Sequence, residues 1–207
     1  MVGLILKDMY QLKSYTRVFL VVVLFCVIMG FSGQDAVFMT YYPSVLMGMM
    51  PITLFAYDEK AKFHALLTTL PIKKRTYVTA KYVMGILLIL LTCVAVGTVQ
   101  AVKMVQAGSF VFEEFMLVMA LALSIGLVAP AFVLPLIFLL GTEKGRFVNI
   151  IVVAIAIVFI NIFMDMGDNF SVILDARQFV FLLIALTLLI YFLSWLITAI
   201  IFDKKEY

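Results

Sequence analysis

Long apolar stretches alternate with short polar ones along the chain, and this alternation predicts helices that cross a bilayer. Six stretches approach the roughly 20 residues that a crossing helix needs; they cover about residues 18–33, 37–57, 83–102, 115–140, 147–164 and 179–202. The first has its apolar heart at Val18–Phe31 and must borrow flanking residues or thin the bilayer. The second carries Pro43, Gly48 and Pro51, and the fourth Gly126, Pro130 and Pro135. Proline removes helix hydrogen bonds, so both are expected to bend or break. The runs are continuous rather than alternating, which excludes a β-barrel. The predicted fold class is all-α: a polytopic membrane protein forming one transmembrane domain over residues 1–207.

Ahead of the first span, residues 1–17 have a different period. Val2, Ile5, Leu6, Met9 and Leu12 recur at helical spacing, with Gly3, Lys7, Gln11 and Ser14 on the other side. An amphipathic helix of this kind lies in the membrane interface, with Lys7, Lys13 and Arg17 expected toward the headgroups. The segment is too polar to serve as the apolar core of a secretory signal.

The polar block between the second and third spans is the densest in charge. Within Asp58–Leu70, Phe63, Leu66, Leu67 and Leu70 fall at i, i+3, i+4 and i+7, one narrow apolar stripe. Asp58 and Glu59 are expected at the helix start, where carboxylates complement free N–H groups. Pro71 ends the helix by pushing Leu70 out of helical geometry. So narrow a stripe makes no core, and it needs a membrane surface, neighbouring helix ends or a partner's groove. The following Lys73, Lys74, Arg75 and Lys81 read as a topology anchor on anionic headgroups.

Composition sharpens the class. The chain has 207 residues, 66% hydrophobic and 13% charged, against about 45–50% and 25% in soluble domains. Of the 15 lysines and arginines, only Lys103 and Arg177 fall in outer segments when the N-terminus is placed inside. The positive-inside rule therefore puts both termini in the cytoplasm.

Candidate chemistry is mostly excluded. There is no GxxxxGK[ST] to cradle nucleotide phosphates, and GTEKGR at Gly141–Arg146 has the wrong spacing. No GxSxG or HExxH occurs. His64 is the one histidine, and Cys26 and Cys93 lie in apolar runs as small hydrophobes, so no metal site is suggested. No carboxylate lies deep in a span, which argues against ion-driven transport. Gln100, Asn149 and Asn161 fit hydrogen bonds between helices better than a path. Energy for uphill transport would come from a partner.

The segment Leu4–Tyr15 and the block from Phe55 to Tyr82 carry a resemblance. Glu59, Lys60, Lys62, Thr69, Leu70, Pro71, Ile72, Lys74, Tyr77, Val78, Ala80, Lys81 and Tyr82 match a pattern between spans 2 and 3. In it the chain resembles ABC-2-type transporter permeases of the compact six-span bacterial kind, and is most similar to the permease subunits of phenol-soluble-modulin exporters. That resemblance implies a homodimer of permeases in the bacterial cytoplasmic membrane, each docking a cytosolic ABC ATPase that holds the ATP and Mg; no cofactor or catalytic residue is expected on this chain. Residues 1–17 would be the elbow helix and Asp58–Leu70 the coupling helix. From the apolar stripe rather than from the family pattern, Phe63, Leu66 and Leu67 are expected to fill the ATPase cleft, with Glu59, Lys60 and Lys62 at its rim. The expected function is export of amphipathic or hydrophobic peptides, giving self-resistance, without nucleic acid as a partner. Alternatives are a non-transporting immunity or scaffold protein, or an exporter of drug or lipid-like molecules. Residues 165–178, between spans 5 and 6, are too few for the large external gate of some relatives.

Overall fold

The computed structural model describes residues 3–13, 36–69, 73–108, 110–141 and 176–204, together with Val21. Among these residues the regular elements are all helices. They are α1 (residues 3–13), α2 (Ala36–Gly48), α3 (Met50–Lys60), α4 (Phe63–Thr69), α5 (Lys74–Gln106), α6 (Phe112–Leu140) and α7 (Ala176–Lys204). The expected spans at 18–33 and 147–164 lie outside the described residues, Val21 excepted.

Among the described residues, three helices are long and apolar enough to cross a membrane: Lys74–Gln106, Phe112–Leu140 and Arg177–Lys204. At 33 residues α5 is about 50 Å long, against about 30 Å of hydrocarbon. At least one end must stand clear of it, and the charged residues Lys74, Arg75 and Lys81 mark which. Arg75 Nε lies 2.8 Å from Asp203 Oδ2, joining the start of α5 to the end of α7. Arg177 and Glu113 approach to 3.5 Å at the other end, joining the first turns of α7 and α6. Helices α6 and α7 therefore run together, and α5 runs against both.

The proline-bearing segments behave differently from each other. Helix α6 continues through Pro130 and Pro135 and stops at Gly141, whose φ of +83° suits glycine. The second expected span is split instead: α2 ends at Gly48, Met49 forms a turn, and α3 starts with Pro51 in its first turn. Proline is suited to that place because a first-turn N–H has no helical acceptor. Gly48 sits there because a Cβ would lie 2.3 Å from the carbonyl oxygen of Gly126 in α6. The two backbones touch.

Hydroxyl groups join the long helices where water is excluded. Tyr82 Oη of α5 lies 2.7 Å from both Ser194 Oγ and Thr198 Oγ1 of α7. Ser194 donates to the carbonyl of Ala131 in α6 at 2.5 Å, and Tyr191 donates to the carbonyl of Tyr82 at 2.9 Å. Such bonds hold transmembrane helices together where lipid and side chain are equally apolar. Nearer the charged end, Phe55, Tyr77, Phe138 and Phe202 form an aromatic knot, with centroids 4.4 Å apart for Phe55–Phe138 and 5.1 Å for Phe138–Phe202. It joins α3, α5, α6 and α7 directly beneath the polar block.

Candidate functional site: the charged end of the bundle

The block expected as one helix over 58–70 is divided. Helix α3 continues through Asp58 and Glu59 to Lys60, the chain turns at Ala61 and Lys62, and α4 starts at Phe63. Lys62 makes the turn with φ of 52°, the left-handed region where side chains are disfavoured. The carbonyls of the last turn of α3 are capped there: Ala61 N–H donates to Tyr57 O at 2.9 Å and Lys62 N–H to Glu59 O at 3.0 Å. Asp58 and Glu59 thus end one helix rather than start the next. Their expected role as N-terminal carboxylates of the docking helix is corrected: both lie in the last turn of α3, and Asp58 is buried there.

Asp58 is 1% exposed, as are Asp8 of α1 and Lys81 of α5. Lys81 Nζ lies 2.8 and 2.9 Å from the two Asp8 oxygens and 2.7 Å from Asp58 Oδ2. An ammonium has three N–H donors, and three carboxylate oxygens surround this one. Lys7 Nζ lies 2.6 Å from Asp58 Oδ1 and 3.4 Å from Asp8 Oδ1. Tyr77 donates to Asp58 Oδ2 at 2.8 Å, and Gln11 donates to Asp58 Oδ1 at 3.3 Å. Two ammoniums and two carboxylates make the cluster neutral as a set. Burial opposes the charged form of Asp58, but the charge of Lys81 and hydrogen bonds from Lys7 and Lys81 outweigh it and hold the carboxyl below its usual range. An exposed pair such as Arg75–Asp203 contributes about 0–1 kcal/mol. In the buried cluster, removing one partner costs about 3–5 kcal/mol, because a charge is left without compensation.

Lys7 departs from its expected place toward headgroups. It turns inward to Asp58, and its ammonium also stands 3.9 Å from the centroid of the Phe63 ring. A cation over an aromatic face is attracted by the ring quadrupole. The amphipathicity of α1 changes accordingly. Leu4 and Asp8 are buried and Ile5 and Leu12 pack against the core, while Leu6 and Met9 are exposed. The expected stripe of Ile5, Leu6, Met9 and Leu12 is thus shared between two faces, and the inward face has a carboxylate at its centre. Lys13 is exposed, and Arg17 lies outside the described residues.

The stripe of α4 is also divided. Leu67 is buried and Phe63 packs against the same core, 6.0 Å from the Tyr77 ring. Leu66 is 52% exposed, and Lys60 and Lys62 are exposed beside it in the chain. Glu59 is half-buried against Gly141, where a Cβ would stand 3.1 Å from its carboxylate. Leu70 lies outside the described residues. Phe63 and Leu67 seat α4 on its own protein, and Leu66 is the apolar side chain of the stripe that α4 offers outward.

The expectation of Lys81 as a headgroup anchor is corrected, since it is buried between Asp8 and Asp58. Local pattern does not by itself pair Asp8, Tyr77 and Lys81, although it holds a signal. Asp8 falls four residues after Leu4 and four before Leu12. Lys81 falls four after Tyr77 and seven before Leu88, both buried. A charge in register with buried apolar neighbours needs a buried counter-charge. Among the described residues no group of His, Cys, Asp and Glu has the makings of a metal site.

No curated protein and no solved structure matches the chain. The sequence model described as ABC-2 family transporter protein does, over residues 3–203. The match takes in α1, the ionic cluster, the α3–α4 turn and the long apolar helices, leaving out only the ends of the chain. A bundle of membrane-crossing helices with a buried ionic cluster and an outward apolar residue at its charged end is thus placed in a family: the chain belongs to the ABC-2 family, as a transporter permease of the membrane.

Proposed function

We infer that this permease is the membrane subunit of an ATP-driven exporter, and that α4 is where a separate cytosolic ABC ATPase docks. The observation that carries the reading is the division of labour in α4. Phe63 and Leu67 anchor it, and Leu66 stands outward at 52% exposure next to Lys60 and Lys62. A short helix fixed from below with one apolar residue above suits a partner's groove. The absence of a phosphate-cradling loop in the sequence supports placing hydrolysis on a partner. Two copies of the chain would pair with two ATPases, and residues 18–33 and 147–164 would complete six spans with both termini in the cytoplasm of a bacterium.

The cargo that fits best is an amphipathic peptide, since apolar and aromatic side chains dominate the long helices and charges are confined to their ends. Export of such a peptide would protect the cell that makes it. The docking assignment is tested by co-expression with a cognate ABC ATPase and pull-down through the permease. Leu66→Asp is expected to abolish ATPase retention while insertion stays normal. Normal retention by that variant removes α4 as the docking element. Phe63→Asp is less informative, because it also disturbs the Lys7 contact. Stimulation of ATP hydrolysis by a synthetic amphipathic helical peptide in lipid tests the cargo class.

A further inference from the structure

Four elements meet at the buried ionic cluster. Lys7 and Asp8 come from α1, Asp58 from α3, and Tyr77 and Lys81 from α5. Phe63, the first residue of α4, lies under the Lys7 ammonium. We propose that the cluster is a positioning joint for transport. It makes α1, α3, α4 and the foot of α5 move as one body, which turns about the break at Met49. The proposal rests on the docking role of α4 and specifies how a push on that helix reaches the spans.

The chemistry of the contact supports this. Apolar contacts are non-directional, and helices joined by them can slide. Charge-assisted hydrogen bonds are short and directional, and those of the cluster run from 2.6 to 2.9 Å for its closest pairs. The charges cancel only as a set, so drawing one helix away leaves a buried charge exposed to no counter-ion. Such a joint either holds all its members or releases them together. Lys7 extends the joint to α4 because the same ammonium faces Asp58 and Phe63.

The far end of α3 is where the helical ladder is interrupted. Met49 interrupts the helix, and its N–H reaches Val45 O at 3.3 Å and Leu46 O at 3.2 Å, both long. The break is located by close packing on either side. Gly48 abuts the Gly126 backbone, and a Cβ on Gly85 of α5 would stand 3.2 Å from Pro51 Cγ. Helix α3 is therefore an 11-residue strut between a located break and a clamped end. A push on α4 tilts the strut and carries α1 and the foot of α5 with it.

Spin labels at Met9→Cys on α1 and Leu66→Cys on α4, both exposed positions, test the joint. The background has Cys26 and Cys93 replaced by alanine. On the permease alone in lipid, one narrow distance is expected. Tyr77→Phe removes the O–H bond to Asp58 while keeping the ring, and should broaden it; Asp8→Asn should lose the narrow distance altogether. With native Met9 and Leu66, the complex with a cognate ABC ATPase provides the second measurement. There Asp8→Asn should retain the ATPase yet lose the stimulation of hydrolysis by a synthetic amphipathic helical peptide. An unchanged narrow distance in both Tyr77→Phe and Asp8→Asn overturns the joint, as does full peptide stimulation in Asp8→Asn. If Asp8→Asn does not insert, Tyr77→Phe decides alone, and an unchanged distance overturns the joint. A parent permease that retains no ATPase defeats the docking role instead, and the distance measurement still decides whether the joint is rigid.

Discussion

Lys81 illustrates how much one buried ammonium can organise. Its three oxygen neighbours bring α1 and α3 against the foot of α5. Lys81→Met leaves two buried carboxylates against one lysine. We expect it to lower stability by about 3–5 kcal/mol, read as a drop in the thermal unfolding midpoint in detergent. Pairing it with Asp8→Leu removes one charge of each sign and should recover most of the loss. A double variant as unstable as the single one would show that the cluster acts through more than charge balance. Asp58 adds a pH dependence of known sign. Its carboxyl is held below the ordinary value in the folded state. Its contribution is therefore complete above the ordinary range of about 4 and drains away as pH falls through the depressed value. Thermal midpoints below pH 4 should fall less in Asp58→Asn than in the parent.

The helices are shaped by a few contacts that their own sequences state only in part. Helix α1 has two apolar faces, and the choice of inward face follows Asp8, because an unpaired carboxylate cannot stay buried. Helix α3 carries the inward-turned Asp58 in its last turn and ends at Lys60, so α4 starts only at Phe63. Between α2 and α6 the limit is steric. Gly48→Ala would place a methyl 2.3 Å from the Gly126 carbonyl oxygen, and the backbones must separate. Overpacking of this kind costs about 1–3 kcal/mol, measurable as a lowered thermal midpoint. Gly3→Ala provides the contrast, since nothing lies within 4 Å of the added carbon. Similar losses from both substitutions would rule out close approach as the cause. The prolines carry the same lesson. Pro51 falls in a first turn and marks the break, whereas α6 accommodates Pro130 and Pro135 without interruption.

At the scale of the whole molecule, the charges of the described residues are sorted to the two ends of the bundle and have two uses. The basic run of exposed Lys73, half-buried Lys74 and exposed Arg75 stands at the end where α5 starts, with Arg75 paired to Asp203. The buried Lys81, about two turns further on, is consumed by the joint. Replacing Lys73, Lys74 and Arg75 together by Gln should leave the ionic cluster intact and weaken the orientation preference of the protein. A cysteine at Lys62, labelled with a membrane-impermeant maleimide in intact cells, reports inversion. Labelling is expected only after the triple substitution, and an unchanged pattern would assign orientation to the other basic residues.

Apolar periodicity and length were sufficient for the class of this protein. A run of apolar residues some 20 long has few options other than a membrane helix, because its backbone must satisfy itself. The long helices α5, α6 and α7, the proline-marked interruption between α2 and α3 and the presence of a short helix before Pro71 were all legible from local pattern. So was the family pattern in Leu4–Tyr15 and Phe55–Tyr82. Tertiary structure alone decided what the charges do. Asp8 and Lys81 are 73 residues apart, and Asp58 stands between them. Each is an ordinary charged residue in its own segment, and the cost of burying one is repaid only by partners that the fold brings from elsewhere. The same holds for α4, whose stripe of Phe63, Leu66 and Leu67 is continuous in sequence. Only the placement of Tyr77 and Lys7 against Phe63 separates the residues that anchor it from the one that faces outward.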